Sequence, residues 1–87
     1  MRDIDQAIRL VRDRNAGVTV AQYRASHPAD DDGLWFFSQP NSPFEVQVES
    51  STGMCPFLIE TDENEERVTA ETIAEAVEAV IALLHLK

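Results

Sequence analysis

The sequence predicts an α+β fold: a three-stranded antiparallel meander sheet with helices packed on one face, in the order α-α-β-β-β-α. Three observations predict it. Residues 44–50, FEVQVES, alternate apolar and polar with a period of two, which marks a half-buried antiparallel strand. Residues 70–85 carry Ile73, Val77, Val80, Ile81 and Leu84 at helical spacing. Residues 3–14 carry a stripe of Ile4, Ala7, Ile8 and Val11 at i, i+3, i+4 and i+7. A chain of 87 residues fits one domain, 1–87, burying roughly 60–65% of its unfolded surface.

In chain order, Asp3 followed by Gln6 has the spacing of a capping box for the first helix. Asn15-Ala16-Gly17 is its stop, with Gly17 expected in the left-handed conformation. Residues 20–26 read as a second, short helix. Thr19 is its cap, Gln22 completes the box, Val18 and Tyr23 form a staple, and Pro28 ends it. The competing reading is a strand through Val18 and Val20, because Val-Thr-Val is β-rich.

Residues 29–33, ADDDG, form an acidic turn before LWFFS, residues 34–38, a short aromatic strand. Its rings cannot share one face. Either Trp35 and Phe37 face the core and Leu34 and Phe36 look away, or the reverse. Residues 39–43 suit a hairpin loop. Ser51-Thr52-Gly53 turns the chain into the strand at 55–61, which sets Cys55, Phe57 and Ile59 against Leu58 and Glu60. With the apolar sides aligned, the covered face holds Phe44, Val46, Val48, Phe57 and Ile59. A slip of one residue would turn that whole set to water.

Residues 62–67, DENEER, are a solvated loop whose charge favours the start of the last helix. Thr69 is expected to cap that helix, with Val68 stapled to Ile73. Ala74, Ala76, Ala79, Ala82 and Leu83 widen its stripe until the second half is apolar nearly all round. That implies burial on two sides, by the sheet and by either the first helix or a second copy.

Charge limits the function. Sixteen acidic residues face seven basic ones, a net −9. Residues 1–24 carry +2 and residues 25–87 carry −11. Such a surface repels phosphate, so no nucleic acid and no anionic membrane is expected as a partner. It suits a basic protein, or simple solubility. The charged N-terminus has no signal-peptide core, and no apolar run approaches the roughly 20 residues that cross a bilayer, so the expected location is cytoplasmic.

Catalytic signals are sparse. Cys55 in Thr-Gly-Met-Cys-Pro is the single cysteine, so no intrachain disulfide forms. As a nucleophile it needs a base or a helix N-terminus to lower its pKa, and only His27 and His85 are offered, neither in a motif with it. A small buried residue at a strand start is the simpler reading. Asp30-Asp31-Asp32-Gly33 fails the calcium-loop pattern, because Pro28 and Gln39 stand where acids are required. No metal and no cofactor is expected. Ser50-Ser51-Thr52-Gly53 has the hydroxyls of an anion nest and the composition of a plain turn.

The candidate binding surface is the outward sheet face: Glu45, Gln47 and Glu49, with Leu58 and Glu60 beside them. A carboxylate row around a leucine suits docking of a basic partner, though the arginines of the first helix would neutralise it if that helix lay across. The expected function is thus a small, acidic, non-catalytic interaction domain, of the kind found in inhibitors, immunity-like neutralisers and adaptors, with a homodimer through the C-terminal helix as a further partner. The alternatives are a thiolate enzyme or redox-sensitive protein using Cys55, and a purely structural domain. In element order alone, the α-β-β-β-α run after the first helix resembles double-stranded RNA-binding domains. Its charge does not: residues 62–78 carry seven acids against one arginine.

Overall fold

The computed structural model describes residues 2–22, 33–40, 45–50, 52–61 and 67–84. Among these, the order is α1 (Asp3–Arg14), β1 (Thr19–Gln22), β2 (Leu34–Ser38), β3 (Val46–Glu49), β4 (Phe57–Thr61), β5 (Arg67–Ala70) and α2 (Ile73–Leu83). The fold is α+β, with a five-stranded antiparallel sheet in sequential order β1-β2-β3-β4-β5.

Two strands correct the expected three-stranded order. Residues 19–22 are a strand, not the start of a helix. Their neighbour is β2, with Val20 opposite Phe37 and Gln22 opposite Trp35. The Thr19–Gln22 capping pattern is real in the sequence but unused, because these residues extend and pair with β2 along one edge instead of coiling. Residues 23–26 of the expected helix lie outside the described residues.

Residues 67–70 form the fifth strand, where a loop and a helix start were expected. Val68 pairs with Ile59 and Thr69 with Leu58. The last helix therefore begins three residues later than expected, and Thr72 caps it in place of Thr69. The Thr72 hydroxyl accepts from the Glu75 N–H at 3.1 Å, and the Glu75 carboxylate accepts from the Glu71 N–H at 3.0 Å. Thr-x-x-Glu is the stronger capping signal of the two threonines. At the other end, the Gln39 amide donates to the Leu84 carbonyl, occupying an acceptor the helix leaves open.

The first helix has the expected span but different caps. Arg2 is the N-cap residue, and its N–H donates to the Asp5 carboxylate at 3.2 Å. Asp3 is already inside the helix and turns to the β3–β4 turn, accepting from the Cys55 N–H at 2.9 Å. Asn15 ends the helix by accepting from the Gly17 N–H through its side chain at 3.0 Å. That side-chain turn replaces the left-handed Gly17 expected from the sequence. The positive φ belongs to Gly53, at 75°.

The core lies between the sheet and the helix pair. Ile4, Ala7 and Val11 of α1 and Ala76, Val77 and Val80 of α2 join one buried cluster with Trp35, Phe37, Val46, Val48, Phe57 and Ile59. The expected inner face thus holds for every member but Phe44, which lies outside the described residues. The aromatic strand resolves with Trp35 and Phe37 inward and Leu34 and Phe36 half-buried on the other side. Helix α2 lies over β4 and β5 with α1 beside it, so both flanks expected to need cover receive it within the chain. Among the described residues, no helix is long and apolar enough to cross a membrane.

Candidate functional site

Strand alternation divides the sheet into two faces, and the helices take one. On the opposite face the register builds a continuous cross-strand row: Ala21 opposite Phe36, Phe36 opposite Gln47, Gln47 opposite Glu60, Glu60 opposite Arg67. A second row runs Leu34, Glu49, Leu58, Thr69. Of the sequence-derived residues, Gln47, Glu49, Leu58 and Glu60 fall on this face together. Glu45 joins them at the rim of a shallow depression of about 260 Å³, bounded by Phe36, Glu45, Gln47, Glu60 and Thr61.

The arginine-rich first helix packs on the other side of the sheet and leaves this face alone. Its N-terminus is fastened to the β3–β4 turn by a 2.8 Å bond from the Ile4 N–H to the Gly53 carbonyl. Arg2 sits over the Trp35 ring at 5.8 Å. Helix α1 is also tied to α2 through Arg14 and Glu78, 2.7 Å apart.

The face is less uniformly acidic than its β3 residues suggest. Arg67, brought in by the unexpected β5, reaches the Glu60 carboxylate at 3.4 Å. Arg67 is 66% exposed and Glu60 29%, so the pair is solvated and weak. Phe36 adds an aromatic ring half-buried among these groups. The sequence leaves the direction of Phe36 open and places Arg67 in a loop. The clue to Arg67 was the β-branched pair that follows it, Val68-Thr69, which favours a strand.

Cys55 stands at a different place, between α1 and the start of β4, and is half-buried. Burial pushes its thiol pKa up, and the Asp3 carboxylate and Glu75 push it the same way. A thiolate nucleophile needs the opposite shift. His27 and His85 lie outside the described residues, as does Asp30-Asp31-Asp32. Among the described residues, no three His, Cys, Asp or Glu side chains gather as a metal site would require. Ser51 lies outside the described residues; the Ser50 hydroxyl donates to the Met54 carbonyl at 2.6 Å, and the Met54 N–H donates to the Thr52 hydroxyl at 3.2 Å.

The topological likeness to double-stranded RNA-binding domains does not hold: residues 19–22 are a strand where that order has its first helix, and among the described residues five strands, β1 to β5, lie between α1 and α2. No family model, curated protein or solved structure matches this chain.

Proposed function

We propose that this protein is a small, non-catalytic interaction domain that docks a basic protein partner on the sheet face opposite its helices. The observation that carries the reading is the two-sidedness of the sheet. Both helices lie against one face, while the other presents Leu34, Phe36 and Leu58 half-buried among Glu45, Glu49 and Glu60. The carboxylates of Glu45 and Glu49 project from or beside the central strand, with Leu34 and Phe36 on one side and Leu58 on the other, and carboxylates interleaved with apolar groups steer a cationic partner while giving it apolar surface to cover. The overall charge of −9 favours the same sign of partner.

A thiol enzyme has less support, because the surroundings of Cys55 disfavour the thiolate. A homodimer through α2 also has less, because α1 already lies along that helix.

The test is capture at low salt from a lysate of the host cell, with wild type and two charge reversals compared. Glu49→Lys alters the sheet face, and Glu71→Lys alters the exposed start of α2. A basic protein retained by wild type and by Glu71→Lys but lost with Glu49→Lys supports the reading. Recovery of no basic protein, or equal recovery with all three, overturns it.

A further inference from the structure

We infer that the depression at Phe36, Gln47 and Glu60 receives an arginine side chain of the partner. The inference rests on the docking reading above and assigns one feature of the partner's chemistry. The depression is small, about 260 Å³, which suits a single side chain and not a helix or a strand. Its walls are of two kinds. Phe36 supplies an aromatic ring, and Glu45 and Glu60 supply carboxylates, with the Gln47 amide between strands β2 and β4. A planar guanidinium uses both at once, stacking on a ring while donating in-plane hydrogen bonds to a carboxylate. An ammonium is a compact, strongly hydrated charge with no plane to stack.

The chain treats its own arginines in these two ways. Arg2 lies over the Trp35 ring at 5.8 Å, and Arg67 reaches Glu60 at 3.4 Å. The depression combines the two contacts on one face, beside a carboxylate already shown to accept a guanidinium. Arg67 is mostly exposed and so competes with an incoming arginine for Glu60. This makes Arg67 a brake on the site, which a charge count alone would miss.

Titration of the isotopically labelled full-length protein with a hexa-arginine peptide, and separately with hexa-lysine, tests the inference by amide NMR. Hexa-arginine is expected to shift the amides of Phe36, Gln47 and Glu60 and to bind more tightly than hexa-lysine by roughly twofold to fivefold, the range of one exposed cation–π contact. Phe36→Leu keeps an apolar side chain while removing the ring, and should abolish that preference. Arg67→Ala should tighten binding of hexa-arginine. Unchanged dispersion of the remaining amides shows that each variant is folded. Equal affinity for the two peptides, with Phe36→Leu without effect, overturns the arginine site while leaving the docking face intact if the shifts still map to it. Shifts that avoid the sheet face altogether overturn both.

Discussion

The backbone N–H of Cys55 donates to the carboxylate of Asp3 at 2.9 Å, joining the first turn of α1 to the residue that leads into β4. One contact therefore does two things. It fastens the helix to the β3–β4 turn, and it sets a negative charge against a half-buried thiol. Burial is the largest cause of the raised thiol pKa, and Asp3 adds to it by hydrogen bond and by charge.

Asp3→Asn keeps an acceptor oxygen for the Cys55 N–H but removes the charge. The thiolate then forms at lower pH, so alkylation of Cys55 by iodoacetamide near pH 8 should accelerate. An unchanged rate would assign the shift to burial and to Glu75, with no part for Asp3. The pH dependence of stability has a definite sign. The folded thiol holds its proton to higher pH than the unfolded one, so the unfolded chain binds fewer protons as pH rises. Stability present below about pH 8 should decline above about pH 8.5, and Cys55→Ser should flatten that decline in denaturant melts.

The two threonines before α2 should behave differently. Thr72→Ala removes the hydroxyl that accepts from the Glu75 N–H and should cost about 1 kcal/mol. Thr69→Ala, on an exposed position of β5, should stay within about 0.5 kcal/mol. Urea melts of the pair decide where the helix begins, and a larger loss at Thr69 would restore the earlier start.

Gly53 is the turn residue that cannot be replaced cheaply. Its φ of 75° is costly for a side chain, and a Cβ there would stand 3.0 Å from Arg2 Cδ and 3.1 Å from Ile4 Cγ2. Its carbonyl also accepts the Ile4 N–H. Gly53→Ala should destabilise by about 1–3 kcal/mol, read as a lowered thermal midpoint. A midpoint equal to wild type would mean the turn relaxes to another geometry.

Neighbouring residues of β4 separate core from surface. Ile59 is fully buried under the helices, and Ile59→Ala should cost about 2–5 kcal/mol. Leu58 is half-buried on the opposite face, and Leu58→Ala should cost about 1 kcal/mol. Similar losses at both positions would show that something covers the second face as thoroughly as the helices cover the first.

Much of the architecture was legible because its signals are local. The alternation of Val46, Gln47, Val48 and Glu49 fixed which side chains face inward, since a one-residue slip would expose the valines. The stripe of Ile4, Ala7 and Val11 set the span of α1, and the apolar strip around Val77 and Val80 announced α2. The charge balance needed nothing but counting.

Tertiary structure alone decided whether residues 19–22 coil or extend, and whether 67–70 belong to the sheet. Both segments are four residues long and sit at the sheet's edges. A helix cap satisfies its donors with atoms a few positions away, so it leaves a mark in the sequence. An edge strand satisfies those along one side with a neighbour elsewhere in the chain, β2 for one and β4 for the other, and that neighbour's reach is set only once the sheet has folded. The same holds for the outer face: Arg67 comes opposite Glu60, and Phe36 opposite Gln47, through strand pairing, which no local spacing encodes.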